Sequence, residues 1–202
     1  MIKIGITGSI ASGKTTASKF LSLKRFPVFS ADEVVKKLYQ DKNFKKIILK
    51  NLKIKSNSGF KNLIKKKILH NSKNIKKLEK LIHPRVRKEM KKFNVYNKNK
   101  KITFFEIPLL IESKLINFFD VIIFIKAKKE VRLKRFISKG GEKKLFNLLN
   151  NKQMADAKKI KFCDHVVVNE KNFNILKKKL LGIIQHYVWN IFRHRNDRVI
   201  FW

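Results

Sequence analysis

The chain has 202 residues, of which 44% are hydrophobic, and its formal net charge is +36. This length suits one main domain with insertions, and the hydrophobic content excludes an intrinsically disordered chain despite the large charge. The single cysteine, Cys163, excludes an intrachain disulfide and a cysteine-based metal cage. Because no apolar run approaches the ~20 residues that cross a bilayer and no signal-peptide pattern opens the chain, we expect a cytoplasmic protein.

The basic charge is spread along the whole chain. Only eight of the 50 basic residues are Arg, although the Arg fork is favoured for reading bases and gripping phosphates. Between residues 34 and 104 there are 24 basic and three acidic residues. The chain therefore has no neutral half against which one basic region would stand out. Nucleic acid is therefore not expected to be the main partner. The positive electrostatic field of these residues would also attract a small anionic substrate.

The N-terminal part alternates apolar runs with helical patterns. Ile2 to Ile6 is a β-branched run, a Gly- and Ser-containing loop follows, and Thr15 to Leu23 has helical spacing. A second apolar run, Pro27 to Phe29, ends at Ser30-Ala31-Asp32-Glu33 and feeds another helical pattern. Two successive strand-loop-helix units are therefore predicted.

The middle of the chain predicts a helical insertion followed by further strands. From Asp41 to about Lys92 the pattern is helical and Lys-rich, with a break at Ser56 to Gly59 and a polar connection from Asn94 to Lys101. Buried strands are predicted over the apolar runs at 102–105, 121–125 and 166–168. This alternation predicts an α/β fold with a parallel sheet and a ligand at the carboxyl ends of its strands.

A Gly-punctuated basic hairpin is predicted in the C-terminal half. Glu130 to Lys139 has the pattern of a basic helix, Gly140-Gly141 is a break, and Glu142 to Lys161 has the pattern of a second helix. Such a hairpin could move over a site as a lid. The aromatic-rich segment after Leu180 is expected to dock on the body of the protein and to take no part in chemistry.

The most specific motif lies at residues 8–15. Gly8-Ser9-Ile10-Ala11-Ser12-Gly13-Lys14-Thr15 matches G-x-x-x-x-G-K-[ST] in full. Its glycines would let the backbone wrap around a pyrophosphate, and inward N–H groups with the helix dipole would favour its charge. Lys14 would bridge the β- and γ-phosphates of ATP, and the Thr15 hydroxyl would coordinate Mg²⁺. A merely Gly-rich turn is the alternative, but the position between a strand and a helix favours phosphate binding.

Asp32 has two interpretations. It lies where the second strand should end, on the same edge of the sheet as the Gly-rich loop, so it could accept a proton from an attacking hydroxyl or help to hold Mg²⁺. However, Ser30 and Glu33 match a capping box, and Asp32 would then be an acidic residue in the first turn of a helix. Spacing alone leaves the two interpretations open, whereas Ser30 is interpreted as a cap.

Three basic residues share one face of the predicted lid helix. Arg132, Arg135 and Lys139 are spaced at i, i+3 and i+7, so their side chains could converge on one anion and stabilise a transferring phosphoryl group. A solvated basic face is the alternative in so Lys-rich a chain. Arg135 is favoured most, because Arg is scarce here.

Three other residues have open roles. His83 precedes Pro84, which disfavours helical geometry in the residue before it, so this pair is expected to end or begin a helix. Catalysis or substrate contact by His83 is the alternative. Glu106 and Glu112 flank Pro108-Leu109-Leu110, and either could orient a Mg²⁺-bound water or a substrate group, or cap a helix.

The order of these motifs resembles the dephospho-coenzyme A kinase family. The opening from Ile4 to Thr16 is similar to the P-loop of that family, and Val28 to Asp32 to its strand ending in Asp-Ala-Asp. Further elements resemble its other signatures, namely Leu78-Glu79-Lys80-Leu81-Ile82-His83-Pro84, Pro108-Leu109-Leu110-Ile111-Glu112, Arg132 to Arg135, Gln153, and Cys163 to Asn169. The resemblance runs from Met1 to about Leu180, and the combination is more specific than any single motif.

The resemblance implies transfer of the ATP γ-phosphate to the ribose 3′-hydroxyl of dephospho-CoA, the last step of CoA synthesis. It also implies a P-loop kinase core with a parallel five-stranded sheet, formed by residues 1–32, 102–135 and 162–202. A helical CoA lobe would occupy residues 33–101 and a small lid residues 136–161. ATP and dephospho-CoA would be the partners and Mg²⁺ the cofactor, in a monomer or weak oligomer.

The resemblance also gives roles to individual residues. Asp32 becomes the candidate catalytic base, with Lys14 as its catalytic counterpart on the phosphates, and Thr7 and His83 become substrate-binding candidates. Arg135 and Lys139 would clamp the ATP phosphates. The remaining ATP-binding candidates belong to the Gly-rich loop and the helix after it: Gly8, Ala11, Ser12, Gly13, Thr15 and Thr16.

Two residues depart from the family pattern. Ser30 replaces the first acid of Asp-Ala-Asp, so Asp32 must act without a second carboxylate at that element. Lys139 stands where the family often has Arg, which would weaken a bidentate grip on phosphate. The rival interpretations are another small-molecule kinase of the same fold, and a basic P-loop ATPase that binds nucleic acid.

Overall fold

A computed structural model describes residues 1–55, 59–170 and 172–196 of the chain, with side chains as far as residue 189. Residues 56–58 of the predicted break at Ser56 to Gly59, and the terminal Phe201 and Trp202, lie outside the described residues. The strands are β1 (Ile2–Thr7), β2 (Val28–Ser30), β3 (Ile102–Glu106), β4 (Val121–Lys126) and β5 (His165–Val168). They form one sheet in the order β2-β3-β1-β4-β5, and every pairing is parallel.

This sheet confirms the predicted fold class. Each strand forms from one of the apolar runs, and no strand end shifts by more than one residue. All five residues of β3 and the first five of β4 are buried, as expected for central strands of a parallel sheet that is covered on both faces. The strands are continuous apolar runs, without polar alternation, because neither face of these two strands meets water.

Helices connect the strands. They are α1 (Lys14–Leu23), α2 (Ala31–Leu38), α3 (Lys42–Asn51), α4 (Phe60–His70), α5 (Lys73–Tyr96), α6 (Lys129–Ile137), α7 (Lys143–Lys152), α8 (Asp156–Ile160) and α9 (Phe173–Asn196), with a short 3-10 helix at Ile116–Phe118. Within the described ranges, none of these helices combines the length and the apolar character that spanning a bilayer requires.

The sheet divides the core into two layers. Successive residues of a strand point to opposite faces, so Phe104 packs with residues of α1 and α9, whereas Phe105 packs on the other face with Phe29 and with Met90 of α5. Both Phe side chains are completely buried. One Phe-Phe pair of β3 therefore joins the sheet to the helices on both sides.

Helices α3, α4 and α5 form a lobe with its own apolar cluster. Phe44, Ile48, Phe60, Ile64 and Leu78 are buried there, apart from the two layers on the sheet. The Lys side chains of this segment point outward, because the apolar residues recur at helical spacing and occupy the inner face. The predicted helical insertion is confirmed.

The structure corrects the prediction for His83 and Pro84. Neither residue ends or begins a helix, since Pro84 lies inside α5, which runs on to Tyr96 and shortens the polar connection to residues 97–101. Pro84 has no N–H to donate to the carbonyl of Lys80, one turn earlier. The Arg85 guanidinium donates to the neighbouring carbonyl of Leu81 at 3.0 Å, which supports the turn where the helical ladder is interrupted.

The second lid helix is also shorter than predicted. The expected helix from Glu142 to Lys161 is divided into α7 and α8, because Gln153 adopts an extended conformation with φ −80° and ψ 148°. The side chain of Gln153 accepts a hydrogen bond from Ile10 N at 3.0 Å, and Met154 N donates to Glu112 at 3.1 Å. Contacts with distant segments thus replace the helical hydrogen bonds at this point.

We predict that Pro84→Ala stabilises the fold. The substitution restores one helical N–H and removes the ring from the interior of α5, so the free energy of unfolding should rise by about 1–3 kcal/mol. Chemical denaturation followed by circular dichroism would measure the change. An unchanged or lower stability would contradict this account of α5.

Candidate active site

Strand register brings the candidate residues to one edge of the sheet. The Gly-rich loop follows β1, and Asp32 lies just after β2. Between these two strands is β3, whose last residue, Glu106, is in register with Ile6 on one side and Ser30 on the other. The loop and Asp32 therefore flank the Glu106 carboxylate at the carboxyl ends of three adjacent strands.

The loop backbone has the conformation of an anion cradle. Gly8, Ala11 and Gly13 have positive φ values of 150°, 58° and 105°. The left-handed conformation is uncommon for a residue with a side chain, so Ala11 carries strain that the surrounding loop maintains. Backbone turns of this kind direct successive N–H groups inward, and α1 begins directly after them.

Gly13 is required for a second reason. A Cβ atom at this position would lie 2.0 Å from Asn169 Nδ2. That amide donates to the Ser12 carbonyl at 2.9 Å, and Arg135 Nη1 donates to the same carbonyl at 3.3 Å. Asn169 had no individual role in the sequence prediction, and the available signal was its position directly after the end of β5.

Lys14 is buried under the loop, with 7% of its surface exposed. Its ammonium donates to the carbonyls of Gly8 and Ser9, each at 3.0 Å. Burial lowers the pKa of Lys14 to about 8, and the nearby negative charges of Asp32 and Glu106 oppose this shift. The Lys14 side chain thus folds onto the loop. When a phosphate binds, the ammonium would donate to the phosphate in place of these carbonyls, or in addition to them.

Thr15 and Glu106 form a pair of oxygen ligands. The Thr15 hydroxyl donates to Glu106 Oε1 at 2.8 Å, and Glu106 has only 1% of its surface exposed. A hydroxyl and a carboxylate are suitable ligands for Mg²⁺, which commonly takes few protein ligands and completes its shell with phosphates and water. Among the described residues there is no cluster of three or more His, Cys, Asp or Glu side chains that could hold a metal. The residues present fit Mg²⁺ bound together with a phosphate ligand.

Asp32 lies in the first turn of α2 and lines the cavity. Although Asp32 keeps an exposed face, partial desolvation by the surrounding protein raises the pKa of its carboxyl, and the positive charge of Lys14 offsets part of that rise. A carboxylate with a raised pKa is a better proton acceptor than an ordinary Asp. Ser30 is the N-cap of α2, as predicted, since its Oγ accepts from Glu33 N at 3.4 Å.

A cavity of about 790 Å³ joins these groups. It is lined by the loop, by Arg135 and Lys139, and by Asp32. Glu79 of α5, Glu112, and Lys152 at the end of α7 also line it. The lining of the cavity thus carries charges of both signs.

The structure separates the other predicted residues. Ala11 and Thr16 line the cavity, and the Ser12 hydroxyl is buried with no hydrogen-bond partner among the described residues. Thr7 is completely buried and donates to the Pro108 carbonyl at 3.2 Å. His83 is not among the described residues that line the cavity, although it lies one turn beyond Glu79, and burial lowers its pKa.

The predicted convergence of three basic side chains on one anion is wrong for Arg132. This residue is buried, with Nε donating to the Ala127 carbonyl at 3.1 Å and Nη1 to Asn150 Oδ1 at 2.8 Å. Its guanidinium therefore fixes α6 to α7. Only Arg135 and Lys139 of the three line the cavity.

Comparisons with known proteins agree with this geometry. The family model described as CoaE, dephospho-CoA kinase, matches residues 2–174. The dephospho-CoA kinase of Bartonella quintana is 33% identical over 192 residues, covering 93% of this chain and 98% of its own length. That of Fusobacterium nucleatum is 34% identical, covering 88% of this chain and 94% of its own. The solved structure of the dephospho-CoA kinase from Campylobacter jejuni superposes with a TM-score of 0.63 at 25% identity, covering 91% of this chain and 95% of that one.

We predict that Gly13→Ala abolishes nucleotide binding. The new methyl group would meet the Asn169 amide at a position with φ 105°, so the loop cannot keep its shape. Gly182→Ala is the matched control, because a Cβ there meets nothing within 4 Å. Isothermal titration with Mg²⁺-ATP would compare the two variants, and retained affinity in Gly13→Ala would contradict the cradle assigned to this loop.

We also predict that ATP affinity falls as pH rises through about 8, because the ligand-free protein then loses the Lys14 proton. Since only the charged ammonium attracts phosphate, binding should be constant below that pH and weaken roughly tenfold per pH unit above it. Equilibrium binding from about pH 7 to about pH 9.5 would measure the profile. A flat profile would show that the free ammonium keeps its proton throughout.

Proposed function

The chain belongs to the dephospho-CoA kinase family, and we propose that it transfers the γ-phosphate of ATP to the ribose 3′-hydroxyl of dephospho-CoA at the cavity described above. The observation that carries this proposal is the strand register that sets the phosphate cradle and Asp32 on either side of Glu106. A phosphate donor and a hydroxyl acceptor bound to these two groups would meet in one cavity.

The donor half of the site is assigned to the loop. Its inward N–H groups would bind the β- and γ-phosphates, and the Lys14 ammonium would turn from the Gly8 and Ser9 carbonyls to the phosphate oxygens. Arg135 and Lys139 would balance the charge that spreads over the γ-phosphoryl oxygens during transfer. Lys139 offers a single ammonium where Arg would offer a planar fork, so Arg135 carries the directional contact.

Thr15 and Glu106 are the residues that would hold Mg²⁺. The bound ion supplies positive charge that neutralises the β- and γ-phosphate oxygens. Support for the assignment comes from their 2.8 Å hydrogen bond, which already brings two hard oxygen ligands together at the mouth of the cradle. Ser30 stands where the family has the first acid of Asp-Ala-Asp, and Glu106 would supply a carboxylate in its place.

Asp32 is assigned as the base of the acceptor half. The acceptor hydroxyl oxygen forms a bond to the γ-phosphorus while the bond from that phosphorus to the β,γ-bridging oxygen breaks, and ADP leaves with the electron pair. The hydroxyl proton passes to the Asp32 carboxylate. A raised pKa suits this transfer, because the carboxylate then binds a proton more strongly than an ordinary Asp carboxylate does.

The helical lobe and the lid would close the acceptor side. We propose residues 1–32, 102–135 and 162–202 as the nucleotide core, 33–101 as the CoA lobe and 136–161 as the lid. Support comes from the separate apolar cluster of the lobe and from two contacts between lobe and lid. Lys65 lies 2.5 Å from Glu142, and Lys152 Nζ donates to the Ser72 carbonyl at 2.7 Å. Thr7 would support the acceptor through its hydrogen bond to the Pro108 carbonyl, and His83 from one turn beyond Glu79. The protein would be a cytoplasmic monomer or weak oligomer.

We predict that Asp32→Asn lowers kcat for CoA formation by about 10²- to 10⁴-fold, because the amide cannot accept the hydroxyl proton. ATP affinity should stay nearly unchanged, since the loop is untouched. CoA formed from dephospho-CoA and Mg²⁺-ATP would be measured by chromatography, and ATP affinity by titration.

Glu33→Gln is the matched control for this experiment. It removes the adjacent carboxylate, which is exposed and pairs with Lys36 at 2.5 Å, so its turnover should equal that of the wild type. Absence of CoA with well-folded wild-type protein would overturn the proposed acceptor. Full activity of Asp32→Asn would overturn the base assignment alone.

A further inference from the structure

The segment from Gln153 to Lys159 lies within the proposed lid, after α7, and none of its residues has an individual role in the steps described above. Its first contacts are with the N-terminal half of the phosphate loop. Gln153 Oε1 accepts from Ile10 N at 3.0 Å, and Asp156 accepts a short hydrogen bond from the Ser9 hydroxyl. Two side chains of this segment therefore fix the residues at which the loop begins to curve around its ligand.

The same segment also contacts the turn from Pro108 to Glu112, here called the acceptor turn because the Pro108 carbonyl binds Thr7, a proposed acceptor-side residue. Glu112 Oε1 accepts from Met154 N at 3.1 Å and lies 2.7 Å from the ammonium of Lys159. This turn begins at Pro108, whose carbonyl accepts from Thr7, and Pro108 and Glu112 both line the cavity. One segment of seven residues thus links the two sides of the cavity.

The ion pair at its centre is buried and poorly satisfied. Lys159 has no exposed surface, and the Glu112 side chain is 20% exposed. Within the described residues, the Lys159 ammonium and Glu112 Oε2 have no partner in hydrogen-bond geometry, although the charges of the pair are close. A buried pair of this kind adds little stability compared with apolar packing, so stability does not account for it.

The charge of Lys159 also reaches the phosphate site. Its ammonium is one of the positive groups that lower the pKa of Lys14, together with the larger effect of burial. Glu112 compensates this charge beside the acceptor turn. The pair therefore joins the acceptor side to the part of the cavity where the γ-phosphate would lie.

We propose that Lys159 and Glu112 are positioning residues that set the distance between the phosphate loop and the acceptor turn. The role assigned to them is indirect, because it acts through the turn and the loop and not on the reacting atoms. The pair fixes the turn to the segment whose Gln153 and Asp156 hold the loop, so the acceptor hydroxyl lies in line with the γ-phosphate. This inference rests on the proposed function, because it concerns the alignment of those two substrates.

Lys159→Met is the first test. It removes the ammonium and, among the described residues, leaves the turn held to the segment only by the hydrogen bond from Met154 N to Glu112, so the turn can shift. Gln153 and Asp156 still hold the loop. We expect kcat to fall by about 10- to 100-fold, as a displacement near 1 Å can produce, with little change in ATP affinity. Because water can then compete with the misplaced acceptor, the ratio of ADP released to CoA formed should rise above that of the wild type.

Two further variants make this test specific. Lys158→Met removes the same charge from an exposed position of the same helix and should behave as the wild type. Glu112→Gln with Lys159→Met leaves no unpaired buried charge, so it should fold if the single variant does not, and it should keep the raised ratio of ADP to CoA.

The outcomes separate the two proposals. A raised ratio in the single or the double variant, with Lys158→Met unchanged, supports the positioning role. Turnover that falls only with the folded fraction, at the wild-type ratio, means that the pair is merely structural and overturns the inference. Wild-type protein that forms no CoA would overturn the proposed function itself, and the alignment inferred from it.

Discussion

The pairing of β3 with both β1 and β2 is the constraint on which the site depends. Register with Ile6 and Ser30 fixes Glu106 between the phosphate loop and Asp32. The central strands are buried on both faces, so a slip of one residue would turn apolar side chains such as Phe104 and Phe105 out of their layers. The packing that stabilises the sheet therefore also fixes the geometry of phosphoryl transfer.

The site contains buried charged side chains whose burial does not favour the stability of the fold. Lys14, Glu106 and Lys159 are almost completely buried, and each lies near a group of opposite charge. Ala11 adds backbone strain in the same loop. Burial of such groups costs free energy that the apolar layers offset, which is the usual relation between an active site and the core beneath it.

The sequence predicted the features that depend on local pattern. The apolar runs became strands, the Gly-rich motif became the loop, and Ser30 caps α2. It could not predict contacts that tertiary packing decides. Arg132 was predicted as a phosphate ligand, but its guanidinium binds Asn150 and so joins α6 to α7. Pro84 was predicted at a helix end, but it lies inside α5. Gln153 divides a helix because its partner, Ile10, is more than a hundred residues away in the chain.

Asn169 makes the phosphate loop depend on the edge of the sheet. It lies against Gly13 and donates to the Ser12 carbonyl, 157 positions earlier in the chain. The final hydrogen bonds of the loop can therefore form only when β5 has paired with β4. Contacts between such distant positions require the closure of a long loop of chain. Completion of the sheet and completion of the nucleotide site are thus one event, and a chain with an unpaired β5 lacks a contact that closes the loop.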